Sequence, residues 1–147
     1  MTDEEKRLLA CDLAARLPFD VKCQFTLKYG DNGHKEGIYL ATITTFDGKD
    51  WLEVEYNDTS GASGKPWMRD WSCTLDDIKP YLRPIESMSE EEAAEFDELS
   101  AKLFEHESPE KIWGQVVDWM NAHYLDFRGL ILMGLAIAVT ENNNPYK

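Results

Sequence analysis

Apolar positions recur along this chain at two different periods, and the change of period divides it. Leu9, Leu13 and Leu17 fall four residues apart behind Thr2-Asp3-Glu4-Glu5, which has the form of a capping box, and Pro18 stops the run. A helix is therefore expected from about Asp3 to Arg16. The next segment alternates strictly, with Val21, Cys23, Phe25, Leu27 and Tyr29 on one side and Lys22, Gln24, Thr26 and Lys28 on the other. That is the period of a half-buried strand. Gly30-Asp31-Asn32-Gly33 supplies a turn. Gly37 to Phe46 is β-branched, aromatic and apolar on both sides, the pattern of a central strand. Asp47-Gly48 returns the chain into a third strand, with Leu52, Val54 and Tyr56 inward and Glu53 and Glu55 outward. Asn57 to Pro66 collects loop-forming residues. Trp71, Cys73 and Leu75 then suggest a fourth strand.

The character changes at Asp77 to Glu92. Pro80 and Pro84 hold the backbone extended, so Lys-Pro-Tyr-Leu-Arg-Pro reads as a stiff strap, with an edge strand around Tyr81 as the place where a proline is tolerated. Ser89 and Glu92 form a second capping box. Beyond it, Phe96, Leu99 and Leu103 mark the buried stripe of a helix whose outer side carries Glu91, Glu95 and Glu98. Ser108-Pro109 opens another helix, with Ile112, Val116, Met120 and Tyr124 on one face and Trp113 and Val117 beside it. Asp126 is placed to cap a short last helix ending near Gly134, Ala136 to Val139 to return as a strand, and Asn142-Asn143-Asn144-Pro145 to fray. The fold class is α+β: an N-terminal helix, a small antiparallel SH3-like barrel or curled sheet, and C-terminal helices. Residues 1–88 would form one subdomain and residues 89–147 a helical one packed on it, or both would share one core.

Charge narrows the partners. The 147 residues carry a formal charge of −13, which disfavours direct binding to nucleic acid, since phosphate contacts require clustered Lys and Arg. Nine acids and one base lie in residues 89–110. That block reads as a solvated helix face or, alternatively, as an acidic decoy for a nucleic-acid-binding protein. Cys11, Cys23 and Cys73 show neither paired nor zinc-type spacing, which suits reduced thiols and the cytoplasm. The apolar run Gly129 to Val139 is about half the ~20 residues that a membrane-spanning helix requires. No membrane association and no cofactor are expected.

Two sets of residues are candidates for chemistry. Trp51, Trp67, Trp71, Tyr56 and Tyr81, with Arg83 beside them, could line an aromatic groove on the barrel for a peptide or a cation. Asp118, Asn121, His123, Asp126 and Arg128 form the densest polar cluster, and a histidine near two carboxylates has the repertoire of a metal site or a general base. The plainer reading of the same cluster gives Asp126 a capping role, Arg128 an ion pair and His123 a place at a helix end. No catalytic residue and no metal ligand is assigned.

Three blocks carry a resemblance: Glu4 to Leu9 with Asp12-Leu13 and Arg16-Leu17-Pro18; Ile78 to Glu92; and Asp118 to His123 with Asp126 to Ile131. Together they look like a group of short uncharacterised proteins encoded by gut bacteria and their prophages. The resemblance implies a mobile-element origin and no reaction. Where that group tends to carry a Glu-Lys pair, this chain has Leu132-Met133, so Leu130 to Val139 is either packed internally or a contact face for another protein or a second copy of the chain. The function expected is that of a non-enzymatic interaction or accessory protein, with the decoy and a small enzyme using His123 as alternatives.

Overall fold

The computed structural model describes residues 1–30, 34–58, 67–105 and 108–147, with Trp67 described by its backbone alone. The expected first helix is present as α1 (Asp3–Arg16), started by a capping box in which Thr2 accepts from the Glu5 amide and Glu5 accepts from the Thr2 amide. A 3-10 turn, Leu17–Phe19, leads into a meander of strands: β1 (Lys22–Leu27), β2 (Gly37–Phe46), β3 (Trp51–Asp58) and β4 (Trp67–Thr74). A second 3-10 turn, Leu75–Asp77, returns the chain as β5 (Ile78–Leu82), antiparallel to β1. After α2 (Glu90–Glu105) and α3 (Pro109–Ala122), the short β6 (Ile137–Ala138) adds to β5 in parallel.

The sheet order is β4-β3-β2-β1-β5-β6, so of the two expected forms, an antiparallel barrel or a curled sheet, the barrel is not formed: the sheet is open, six-stranded and mixed. The β5 strap also departs from expectation, lying between β1 and β6 and not at an edge. Pro80 is accommodated there because β6 pairs only with Tyr81 and Leu82, and because a side chain replaces the ladder beside it. The register would next pair Lys22 with Tyr81. The Tyr146 hydroxyl sits between them, accepting from the Lys22 amide at 3.2 Å and donating to the Tyr81 carbonyl at 2.8 Å. The tail expected to fray is thus pinned.

One face of the sheet forms the main core. Cys23, Phe25, Leu27, Ala41, Ile43, Leu52, Val54 and Tyr56 pack there against Leu9 and Leu13 of α1, with Leu130, Leu135 and Ala136 returning from the far end of the chain. The other face has no cover over Ile38 and Leu40, so the strand expected to be buried on both sides is buried on one. A second cluster joins α2 to α3: Ile112, Val116, Met120 and Leu125 with Phe96, Leu99 and Leu103. The expected outward acids Glu91, Glu95 and Glu98 are exposed.

α3 ends in a Schellman pattern, with the Leu125 amide bonded to the Met120 carbonyl and the Tyr124 amide to that of Asn121. Tyr124 takes the left-handed position, φ 57°, where glycine is usual. Its ring stacks on Tyr146 at 3.7 Å and its hydroxyl donates to the Phe19 carbonyl, so tertiary contacts hold the conformation. The short last helix reduces to a single turn. Asp126 accepts from the Leu130 and Ile131 amides at its start, and Gly134, φ 74°, closes it with a second Schellman pattern.

Candidate functional site

The five residues of the polar cluster do not converge. Asp118 is exposed and Asn121 is buried. His123 stacks on Trp119 at 3.9 Å, with Nδ1 2.8 Å from that residue's own carbonyl. Asp126 is occupied by the two amides that it caps. No group of three His, Cys, Asp or Glu side chains among the described residues could hold a metal ion.

Arg128 belongs instead to a buried ionic centre. Asp12 and Arg16, both fully buried, pair through Nε at 2.7 Å and Nη2 at 3.0 Å, and Nη2 also donates to the Leu125 carbonyl at 2.7 Å. Arg128 Nε reaches the same carboxylate at 3.1 Å, and the Phe127 ring lies under both guanidinium groups. Two cations therefore share one buried anion, Arg16 from within and the partly exposed Arg128 from the surface side, and the set staples α1 to the turn after α3. The signal was present in the sequence, because Asp12 and Arg16 share the helical stripe of Leu9 and Leu13.

The aromatic groove also disperses. Tyr56 is buried on the core face, and half-buried Trp71 faces the same way with the His34 ring 4.5 Å from its own. Tyr81 and Trp51 lie on the opposite face by the strand alternation. The side chain of Trp67 and residues 59–66 of the expected loop lie outside the described residues, as do residues 31–33 of the first turn. Arg83 is a clasp, bonded to both oxygens of Glu92 and to the Ser87 carbonyl.

Beside exposed acids such as Glu91, Glu95 and Asp70, apolar surface and unpaired backbone also lie open to solvent. Leu132 is 94% exposed, and Met133 borders a cavity of about 620 Å³ that it shares with Leu8, Cys11 and the charged Glu4, Glu5, Arg7 and Arg128. On the uncovered sheet face Leu40 and Met68, 53% and 61% exposed, flank Asn57 in one row of the register. β4 is the free edge. The Leu75 amide turns toward β3 and bonds the Asp50 carbonyl, whereas the Thr74 amide turns away and bonds Asp77. Alternation then aims the backbone groups of Met68, Asp70 and Ser72 outward, and among the described residues none of these groups has a partner. Beside this edge a cleft of about 380 Å³ separates Trp71 and Cys73 from Phe25 and Leu27 of β1. Its lower end is tied by Asp77, which takes the Thr74 amide and hydroxyl and Lys28 Nζ at 2.7 Å.

No helix among the described residues is long and apolar enough to cross a membrane. The chain matches no protein-family model, and comparison with curated proteins and with solved structures gives no match.

Proposed function

We propose that this chain is a non-catalytic protein-interaction module of the accessory kind carried by phages and other mobile elements, acting in the cytoplasm. We read its β half as an SH3-like curled sheet left open between β4 and β1. The meander β1 to β4, the 3-10 turn at Leu75–Asp77 and the return of β5 onto β1 support that reading.

The observation that carries the functional reading is a contrast in what is satisfied. The Asp12, Arg16, Arg128, Arg83, Glu92 and Asp126 side chains are taken up in internal bonds, with Arg16 Nη1 the one buried atom of the set left without a hydrogen bond among the described residues. Apolar side chains and a strand edge, by contrast, face solvent. Catalytic sites invert that pattern, keeping titratable groups poised in a pocket. Leu40, Met68 and the β4 edge lie on adjoining surface, as a protein contact requires.

The test is affinity capture from the native host cell with the wild-type chain, a Leu40→Glu/Met68→Glu variant and a Leu132→Glu/Met133→Glu variant. The reading expects one protein to be retained by the wild type and lost by one variant with its thermal unfolding unchanged. Retention of no specific protein, or equal retention by all three, refutes it.

A further inference from the structure

We infer that the free edge of β4 binds an extended segment of a partner protein as an added strand, and that this segment alternates basic and apolar side chains. The inference rests on the interaction-module reading above and assigns it a site and a partner chemistry.

The two edges of the sheet are built differently. One ends in the two-residue β6, with the Val139 amide already bonded to the Leu82 carbonyl. The other is eight residues long, and the outward N–H and C=O groups of Met68, Asp70 and Ser72 are unpaired among the described residues. Natural sheets blunt a long edge with prolines, bulges, inward charges or a covering element. β4 contains no proline, it pairs with β3 without a register shift from Trp51 to Asp58, and its one inward charge, Arg69, is drawn to Asp58 of the neighbouring strand. Its outward groups are the pattern that main-chain strand addition uses.

The side chains specify what would be added. On the uncovered face the register brings Glu53, Glu55 and Asp70 together at this edge. None of the three is in an ion pair among the described residues. On the core face the neighbours of an added strand are Trp71 and Cys73, at the mouth of the cleft floored by Phe25 and Leu27, with Arg69 beyond them held to Asp58 at 3.1 Å. Alternate residues of the incoming strand would thus meet carboxylates on one face and apolar surface on the other. The same acids argue against a second copy as the occupant, because two β4 edges brought together would oppose like charges.

The probe is a short fluorescently labelled peptide alternating lysine and valine. One control has the same composition sorted into a lysine block and a valine block, and another is N-methylated on alternate backbone nitrogens. Anisotropy titrations are expected to show the alternating peptide binding about tenfold tighter than either control, with Asp70→Lys and Ser72→Pro each weakening it about tenfold, a factor worth about 1.4 kcal/mol. Ser72→Pro removes an outward amide and no ladder bond, so the thermal midpoint should stay put.

Equal binding of all three peptides overturns the inference, and the peptide series decides the matter even if the proline variant does not fold. It is also overturned by a concentration-dependent dimer in sedimentation that Ser72→Pro dissolves, since the occupant is then a second copy. A captured host protein retained in full by Ser72→Pro leaves the interaction reading standing and removes this site. A strand-binding edge with no captured protein would do the reverse.

Discussion

Arg83 and Glu92 face each other through two parallel bonds, Nη1 to Oε1 at 2.8 Å and Nη2 to Oε2 at 2.6 Å. The same carboxylate accepts from the Ser89 amide, so one residue both caps α2 and ties it to the proline strap. The Arg83 guanidinium, helped by the Ser89 amide, holds the Glu92 carboxyl down to about 2 from an ordinary 4.5. A carboxyl whose pKa is depressed on folding stabilises fully above its unfolded value and loses that contribution as pH falls through the folded one. Urea unfolding should therefore weaken between pH 4.5 and about 2. Glu92→Gln should cost about 2 kcal/mol at neutral pH and flatten that part of the profile; an unchanged slope in the variant would exclude the clasp as its source.

Removing the Tyr146 hydroxyl leaves the Lys22 amide and the Tyr81 carbonyl separated by a ring with no bond to offer. Tyr146→Phe should lower stability by about 1–3 kcal/mol, the cost of unsatisfied buried polar groups. Tyr146→Ala should cost more, since stacking on Tyr124 goes as well. Denaturant melts of the two variants give the comparison, and a Phe variant as stable as the wild type would show that the strands close without the hydroxyl.

Burial raises the pKa of Tyr39, Tyr56, Tyr124 and Tyr146. These groups keep their protons longer folded than unfolded, so their contribution is complete below pH 10 and is lost as pH climbs through the raised values. Absorbance titration of phenolate should show the ionisation of these four held back in the folded protein and released in a cooperative step as the fold opens.

The Asp12–Arg16 pair is dry, so breaking it should cost more than replacing it. Arg16→Met alone should destabilise by about 3–5 kcal/mol by leaving Asp12 with only part of its compensation, and Asp12→Leu combined with Arg16→Met should recover a measurable part of that loss. A double-mutant cycle with purely additive terms would contradict the coupling.

Thiol accessibility separates the cysteines. Cys11 is exposed, whereas Cys23 and Cys73 are buried, and burial pushes Cys73 up to about 12 and Cys23 higher still. An aromatic disulfide reagent should titrate one thiol in the folded protein and all three in denaturant.

The parts of the fold legible in the sequence were those decided by near neighbours. Alternation placed β1 and β3, the Thr2 and Ser89 capping boxes placed α1 and α2, and Ser108-Pro109 placed the start of α3. What escaped depends on residues far apart. Nothing local announces that the Tyr146 hydroxyl replaces a ladder bond, or that Arg128 reaches back to Asp12. The polar cluster misled for the same reason: a three-residue helical spacing puts side chains on one face, but Asp126 turned to nearby amides and His123 to its own helix. Nor could the pattern of β2 say that Ile38 and Leu40 would face water, since alternation shows two apolar faces and not what covers them.

The bonds of Arg16 to Leu125, Arg128 to Asp12 and Tyr146 to Lys22 join positions 109, 116 and 124 residues apart. Contacts of that span are slow to find, because the intervening chain must lose its freedom before they form. The α2–α3 pair needs only sequence neighbours. Refolding is therefore expected to gain helical signal early and to be limited by a late meeting of the first helix with the last fifth of the chain, so that Tyr146→Phe speeds unfolding while leaving the refolding rate nearly untouched.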